Sequence, residues 1–340
     1  MTVRSKSTLF LRDWGKLKNI KKEWNMFDCS RRNFLTGSLC AVAAPCIAEV
    51  AGSPRVDANL SAFLSDLHVS GWNVKGQPTY QNPLFEKVVD QVLALNPRPA
   101  RVVVFGDLAL WNGLDADYEV SLPGLKRLTD AGMDLYVTAG NHDCRERMFK
   151  YHPRQKELTP VPGRFVSVID LGHADLFLLD SLHEIPRPEG FGSAIQGIID
   201  PEQGEWLVKK VASATRPYFL GAHHPPGELK IKGKDIRGLF AKDPKFAGFI
   251  HGHSHRWDRQ WYHKDYVRKH VIRQVGLPST GWWGNIGFAT MRTFPGRAEL
   301  KFVQNDFFFP HPVAEGETRP SEWDEIVREN ANTWCTFTWG

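Results

Sequence analysis

The chain has 340 residues, 42% of them hydrophobic and 24% charged, enough apolar content for a large core and far from the composition of a disordered chain. Its formal charge of +5 is local. Residues 1–51 hold nine Lys/Arg against four Asp/Glu, which leaves 34 of each sign beyond them, so the body offers no electrostatic case for a nucleic-acid partner. No interior apolar run reaches 18 residues, so nothing there predicts a membrane span.

Along the chain, the first element is a leader. "SRRNFL" (Ser30, Arg31, Arg32, Phe34, Leu35) precedes a modestly apolar stretch from about Leu39 to Ala48, too short to span a bilayer. This resembles a twin-arginine export signal. It implies passage through the twin-arginine machinery and a periplasmic or extracellular location. Ala43, Ala48 and Ala51 are alternative small residues before a cleavage point, and Met26 is an alternative start. Three of the five cysteines lie in this leader; Cys144 and Cys335 remain, so no disulfide framework is implied, at most one bridge.

From Asn59 the pattern alternates. "NLSAFLSDLHV" reads as an extended apolar run, and "NPLFEKVVDQVLAL" as a helix capped by Asn82 with Pro83 at its first position. "ARVVVFGD" is a β-branched run suited to burial on both faces of a sheet. A mixed segment with Leu122, Leu125 and Leu128 leads to the strand "DLYVTAGNHD". "RFVSVIDLG" and "ADLFLLDS" read as a hairpin around Gly172 and His173, and "DPEQGEWLVKKVAS" as a helix with Pro201 in its first turn. "PYFLGAHHPP" and "FAGFIHGHSH" are strands ending in histidines, and "FATMRTFPGRAELKFVQ" is a strand pair around Pro295 and Gly296. Beyond Pro310 the pattern fades into a tryptophan-containing tail.

Strands alternating with helices predict an α/β domain, whose ligands gather beyond the carboxyl ends of its strands. Five strands here end in polar clusters: Asp66/His68, Asp107, Asn141/His142/Asp143, His223/His224 and His253/His255. Mixed oxygen and nitrogen donors without thiolate suit Mn, Fe, Zn or Co. Seven donors (Asp66, His68, Asp107, Asn141, His223, His253, His255) are too many for one tetrahedral zinc; two divalent ions sharing Asp107 would use them all.

Taken in order, "SDLH", "GDLALWNG", "GNHD", "GAHHPP" and "HGHSH" resemble the five blocks of the calcineurin-like metallophosphoesterase superfamily, over about residues 58 to 290. The resemblance implies a four-layer αββα sandwich: two mixed sheets face to face, with helices outside. It places Asp66, His68 and His255 on one metal and Asn141, His223 and His253 on the other, with Asp107 bridging. His142 would stand beside the phosphate as a catalytic group, and a hydroxide between the metals would attack phosphorus. Of the histidine pair, the pattern favours His223 over His224; His251 reads as a packing or supporting residue, and Asp143 as a loop anchor.

The departures narrow the substrate. Leu110 stands where purple acid phosphatases carry a tyrosine, and "ALWNG" and "GNHD" lack the Asp-Arg-Gly and GNHE of phosphoprotein phosphatases. The stretch after Pro310 is too short for a nucleotidase's second domain. What remains is similar to the single-domain bacterial phosphodiesterases and phosphatases. The reading is therefore an exported hydrolase of small phosphodiesters or phosphomonoesters: signal 1–51, domain 52–310, C-terminal extension 311–340. The alternative is a scaffold of the same fold that binds metal without catalysis. Trp282 and Trp283 in "STGWWGN" form either a substrate wall or packing for a sheet, Trp111 and Trp257 lie near ligands in sequence, and Arg145 and Arg256 are candidate anion contacts.

Overall fold

A computed structural model of the protein describes residues 55–71, 78–187, 190–265, 270–331 and 333–339, with side chains 186–191 and 260–272 left out. The leader, with Arg31, Arg32 and the alternative start Met26, lies outside the described residues.

Two six-stranded mixed sheets carry the fold. The first runs, edge to edge, Trp334–Thr338, Arg297–Phe308, Gly284–Phe294, Val56–Leu64, Arg98–Phe105 and Asp134–Thr138. The second runs Asp258–Asp265, His270–Gly276, Phe246–His251, Tyr218–Ala222, Asp175–Leu178 and Ser167–Asp170. The strands that precede functional loops are parallel neighbours, three in the first sheet (Val56–Leu64, Arg98–Phe105, Asp134–Thr138) and two in the second (Tyr218–Ala222, Phe246–His251). Antiparallel strands close both edges of the second sheet and one edge of the first.

The period-2 alternation of buried residues sorts them into layers. Phe63, Val103 and Phe105 face the second sheet and meet Phe219, Ile250 and Leu176 in a core between the sheets. Their neighbours Ala62, Leu64, Val102 and Val104 face the opposite way and pack on the helices Gln81–Leu93 and Asp115–Asp130 through Phe85, Val88, Val92, Tyr118, Leu125 and Leu128. Phe177, Leu220 and Phe249 cover the outer face of the second sheet with Leu207 and Val211 from the helix Pro201–Ala212. The result is the expected αββα sandwich with three apolar layers.

Local chemistry explains the helix boundaries, with one correction. Asp200 caps its helix as Pro201 implies, accepting from the Gln203 amide at 3.0 Å. Asn82 does not cap. The helix begins at Gln81, and the Asn82 amide instead bonds the Ser70 backbone on both sides, at 2.9 Å each, tethering the loop that follows His68. The mixed segment with Leu125 is the helix Asp115–Asp130, containing Pro123.

The C-terminal segment is no appendage. Ser321–Asn330 is a helix and Trp334–Thr338 pairs antiparallel with Arg297–Phe308, placing Cys335 and Phe337 in the core between the sheets. Cys144 and Cys335 are both buried and free, so the candidate bridge does not form. Among the described residues, no helix is long and apolar enough to cross a membrane.

Candidate metal centre

Five parallel strands deliver the polar clusters to one place. Val56–Leu64 ends just before Asp66 and His68, Arg98–Phe105 before Asp107, and Asp134–Thr138 before Asn141 and His142. From the other sheet, Tyr218–Ala222 leads into His223 and Phe246–His251 into His253 and His255. The turns are tight. Among the described residues, six non-glycine positions have positive φ, and five of them are Asp66, His68, Asp107, His253 and His255. Side chains rarely adopt that conformation, at a cost of about 1–3 kcal/mol each, and such strain gathers at functional sites. Glycines admit the approach: a Cβ on Gly140 would lie 2.2 Å from Asp107 Oδ1, and one on Gly252 2.0 Å from Ser65 Oγ.

The seven predicted donors converge. Asp66 Oδ1 lies 3.1 Å from His255 Nε2 and 4.0 Å from His68 Nε2. His68 Nε2 lies 3.2 Å from His255 Nε2. Asn141 Oδ1 is 3.0 Å from His223 Nε2 and 2.8 Å from His253 Nδ1. Asp107 Oδ2 stands between the two groups, 3.5 Å from His68 Nε2 and 3.2 Å from His223 Nε2.

Hydrogen bonding fixes what these atoms are. A backbone carbonyl only accepts, so the Nδ1 of His68 donates to Leu110 O (3.2 Å), that of His223 to Phe105 O (2.8 Å) and that of His255 to Trp283 O (3.1 Å). Each Nε2 then turns a bare lone pair inward. Lone pairs of His68 and His255 at 3.2 Å, beside two carboxylates, repel unless a cation sits among them. The donor set therefore fits divalent metal: Asp66, His68, Asp107 and His255 would hold one ion, and Asp107, Asn141, His223 and His253 a second. His224 lies within ligand spacing of His223 and His253, and its buried Nε2 has no partner while its Nδ1 pairs with Ser181 Oγ at 2.8 Å. What favours His223 is its Nε2, 3.2 Å from Asp107 Oδ2 and 3.0 Å from Asn141 Oδ1.

The electrostatics agree with that reading. Burial works to raise the Asp66 carboxyl, but the His255 imidazole outweighs it and holds the group at about 2. Burial likewise opposes ionisation of Asp107, yet His223 and His142 hold it well below the usual carboxylate range. Burial depresses His68 to about 3 and His253 to about 4, keeping both imidazoles neutral and able to ligate. His223 departs from that pattern: Asp107 overcomes burial and raises it to about 9, so without metal its Nε2 holds a proton that a bound cation would displace.

A supporting layer braces the loops. Asp143, with one oxygen, accepts from the Leu108 and Ala109 amides (3.1 Å each) and from Tyr118 Oη (3.2 Å); with the other it accepts from Gly140 N at 3.0 Å. The loops of Asp107 and Asn141 are thus tied to one carboxylate, as its expected anchoring role requires. The His253 amide donates to Asp66 at 3.1 Å, Ser279 Oγ to Asp66 O at 2.9 Å, and the His142 amide to Asp107 Oδ1 at 2.8 Å. Ser279 and Tyr118 carried no sequence signal. His251 is buried, bonded to Gly252 O and Gln274, and packs rather than ligates.

His142 sits at the rim, its ring 4.8 Å from His68 and 5.5 Å from Trp111, with a buried Nδ1 that has no partner. Arg145 is engaged elsewhere: its Nε and Nη2 donate to Asp180 at 2.7 and 2.9 Å and its Nη1 to Glu184 at 2.9 Å, a buried ion-pair network that leaves it unsuited to grip a substrate anion. Trp282 is only 7% exposed, wedged between Tyr80 (5.7 Å, stacked) and His68 (5.4 Å). Of the two wall readings, packing describes it. Trp283 is half-buried over His255 at 4.3 Å. Trp257 is buried in the core between the sheets.

A family model for calcineurin-like phosphoesterases matches residues 61–257, a span that holds all seven donors and His142. The chain belongs to that family. This calcineurin-like phosphoesterase is 29% identical over 194 residues to a protein of Rhodopseudomonas palustris, and 27% identical over 146 residues to one of Psychrobacter arcticus. Each of these is described as a "probable cyclic nucleotide phosphodiesterase". The matches cover 54% and 41% of this chain and span 63% and 48% of those relatives' own lengths. In fold it is similar to a dimetal phosphatase from Danio rerio, with a TM-score of 0.53 at 14% identity over 72% of this chain and 95% of that one. The chain spans less than two thirds of the length of the two curated relatives, and its Asp and His cluster could hold metal in a way that fits the family's dinuclear chemistry.

Proposed function

We propose that the enzyme hydrolyses small phosphodiesters, the class its relatives' names indicate, with phosphomonoesters as the second substrate class. The observation that carries this reading is Asp107 Oδ2 lying within 3.5 Å of a histidine nitrogen in each of the two donor groups. When bound, a pair of divalent ions supplies an activated water and offsets the charge on the phosphoryl oxygens. The chain's own residues do the rest. Asp107 would hold the two groups at a fixed spacing, and Asp66, His68 and His255 would orient one end of the phosphate against Asn141, His223 and His253 at the other. His142, at the rim and not among the seven donors, would serve the departing ester oxygen as hydrogen-bond donor and acid.

Filled positions at all seven donors and at His142 favour catalysis over a metal-binding scaffold. The deciding assay is hydrolysis of bis-p-nitrophenyl phosphate and its monoester by protein loaded with Mn²⁺. Turnover should vanish on chelation, return on adding metal, and fall on the order of a hundredfold or more in Asp107→Asn, whose amide is a poorer bridge. A metal-loaded wild type with no turnover on either ester would leave only the scaffold.

For location we propose export by the twin-arginine route, supported by the "SRRNFL" stretch. Replacing Arg31 and Arg32 by lysine should strand active enzyme in the cytoplasm. Unchanged export of that variant would count against the route.

A further inference from the structure

One large aromatic at the mouth of the site is not consumed by packing. Trp111 follows the Asp107 loop and is 43% exposed, whereas Trp282 beside it is 7% exposed. Its ring lies 5.5 Å from that of His142 and meets Trp282 edge to face at 5.4 Å and 85°. Trp282 is in turn held by the Tyr80 stack, inclined only 7°, and by His68. Trp111 is therefore a braced, flat and open surface next to the group assigned to the ester oxygen.

An exposed indole in water leaves a large apolar face unused, and bracing removes the rotamer entropy that a ligand would otherwise have to overcome. Planar heterocycles use such a face well: stacking on an aromatic side chain is worth roughly 1–3 kcal/mol per base and tolerates any base. Arg145, the cation nearest the GNHD block in sequence, is bound to Asp180 and Glu184 and so is not available to read a second phosphate. The open ring of Trp111 can therefore sort substrates where Arg145 does not.

We infer that Trp111 is the specificity-determining residue of this site, stacking on the base of a nucleoside whose phosphate lies at the metal cluster. The inference deepens the phosphoesterase reading and rests on it for the position of the phosphate. It makes the enzyme selective for nucleoside phosphoesters over sugar or alkyl phosphoesters of equal charge.

The test is calorimetric binding to full-length, Mn²⁺-loaded protein of the phosphonate analogues of adenosine 5′-monophosphate and of ribose 5-phosphate. In both, CH₂ replaces the ester oxygen so that neither is hydrolysed, and they differ only in the base. The wild type should prefer the nucleotide by about tenfold or more. Trp111→Ala and Trp111→Leu should reduce that preference to about threefold or less, while Trp111→Phe, which keeps a flat ring, should retain most of it. No preference in the wild type would overturn the proposal. So would a preference that survives in the Leu variant, or an equal loss of both ligands, which would make Trp111 a prop for His142. Binding is read without turnover, so failure of hydrolysis and failure of base recognition are seen separately.

Discussion

Asp143 is not among the seven donors, yet the loops of Asp107 and Asn141 both depend on it. Its carboxylate faces three backbone N–H groups and the Tyr118 hydroxyl, an arrangement built for an acceptor with no proton of its own. In Asp143→Asn one oxygen becomes an NH₂ aimed at donors, so one bond is lost and a clash of donors replaces it. Supporting groups of this kind are worth roughly 10–100-fold in metal affinity or activity. Metal titration of Asp143→Asn should show a loss in that range with the fold retained by circular dichroism; wild-type affinity would show that the loops hold without it. His142 differs in kind. Its partnerless Nδ1 and rim position fit the role proposed for it toward the substrate rather than a place among the donors.

Individual elements differ in how plainly they announced themselves. The strand "ARVVVF" was legible because burial on both faces demands a continuous β-branched run, and its alternate residues do feed two different cores. The convergence of the seven candidate donors was legible for a related reason. A polar residue straight after a buried strand has nowhere to go but the strand-end crevice, and five such endings in order leave little freedom. The strands Asp258–Asp265 and Trp334–Thr338 were not legible. The first is highly charged at a sheet edge, and the second signals its inward face with only Cys335 and Phe337. Arg145 misled because its partners are remote: Asp180 and Glu184 lie 35 and 39 positions away, and proximity to "GNHD" in sequence said nothing of them. Trp282 misled similarly, since its packing partner Tyr80 belongs to a loop near the start of the domain. Spacing within a motif survives folding; pairing across the chain does not show in it.

At the scale of the molecule, the site belongs to neither sheet alone. The first sheet contributes Asp66, His68, Asp107 and Asn141, and the second His223, His253 and His255. The apolar layer between the sheets sets the distance across which these groups meet, and the C-terminal strand helps fill that layer. Ions bound there would join the sheets and stabilise the native state in proportion to their concentration. Anomalous diffraction from crystals grown with Mn²⁺ tests this most directly. The account predicts two peaks about 3.5–4 Å apart, one ringed by Asp66, His68 and His255, the other by Asn141, His223 and His253, with Asp107 reaching both. No density among these side chains, or one ion bound elsewhere with the histidines turned apart, would contradict it.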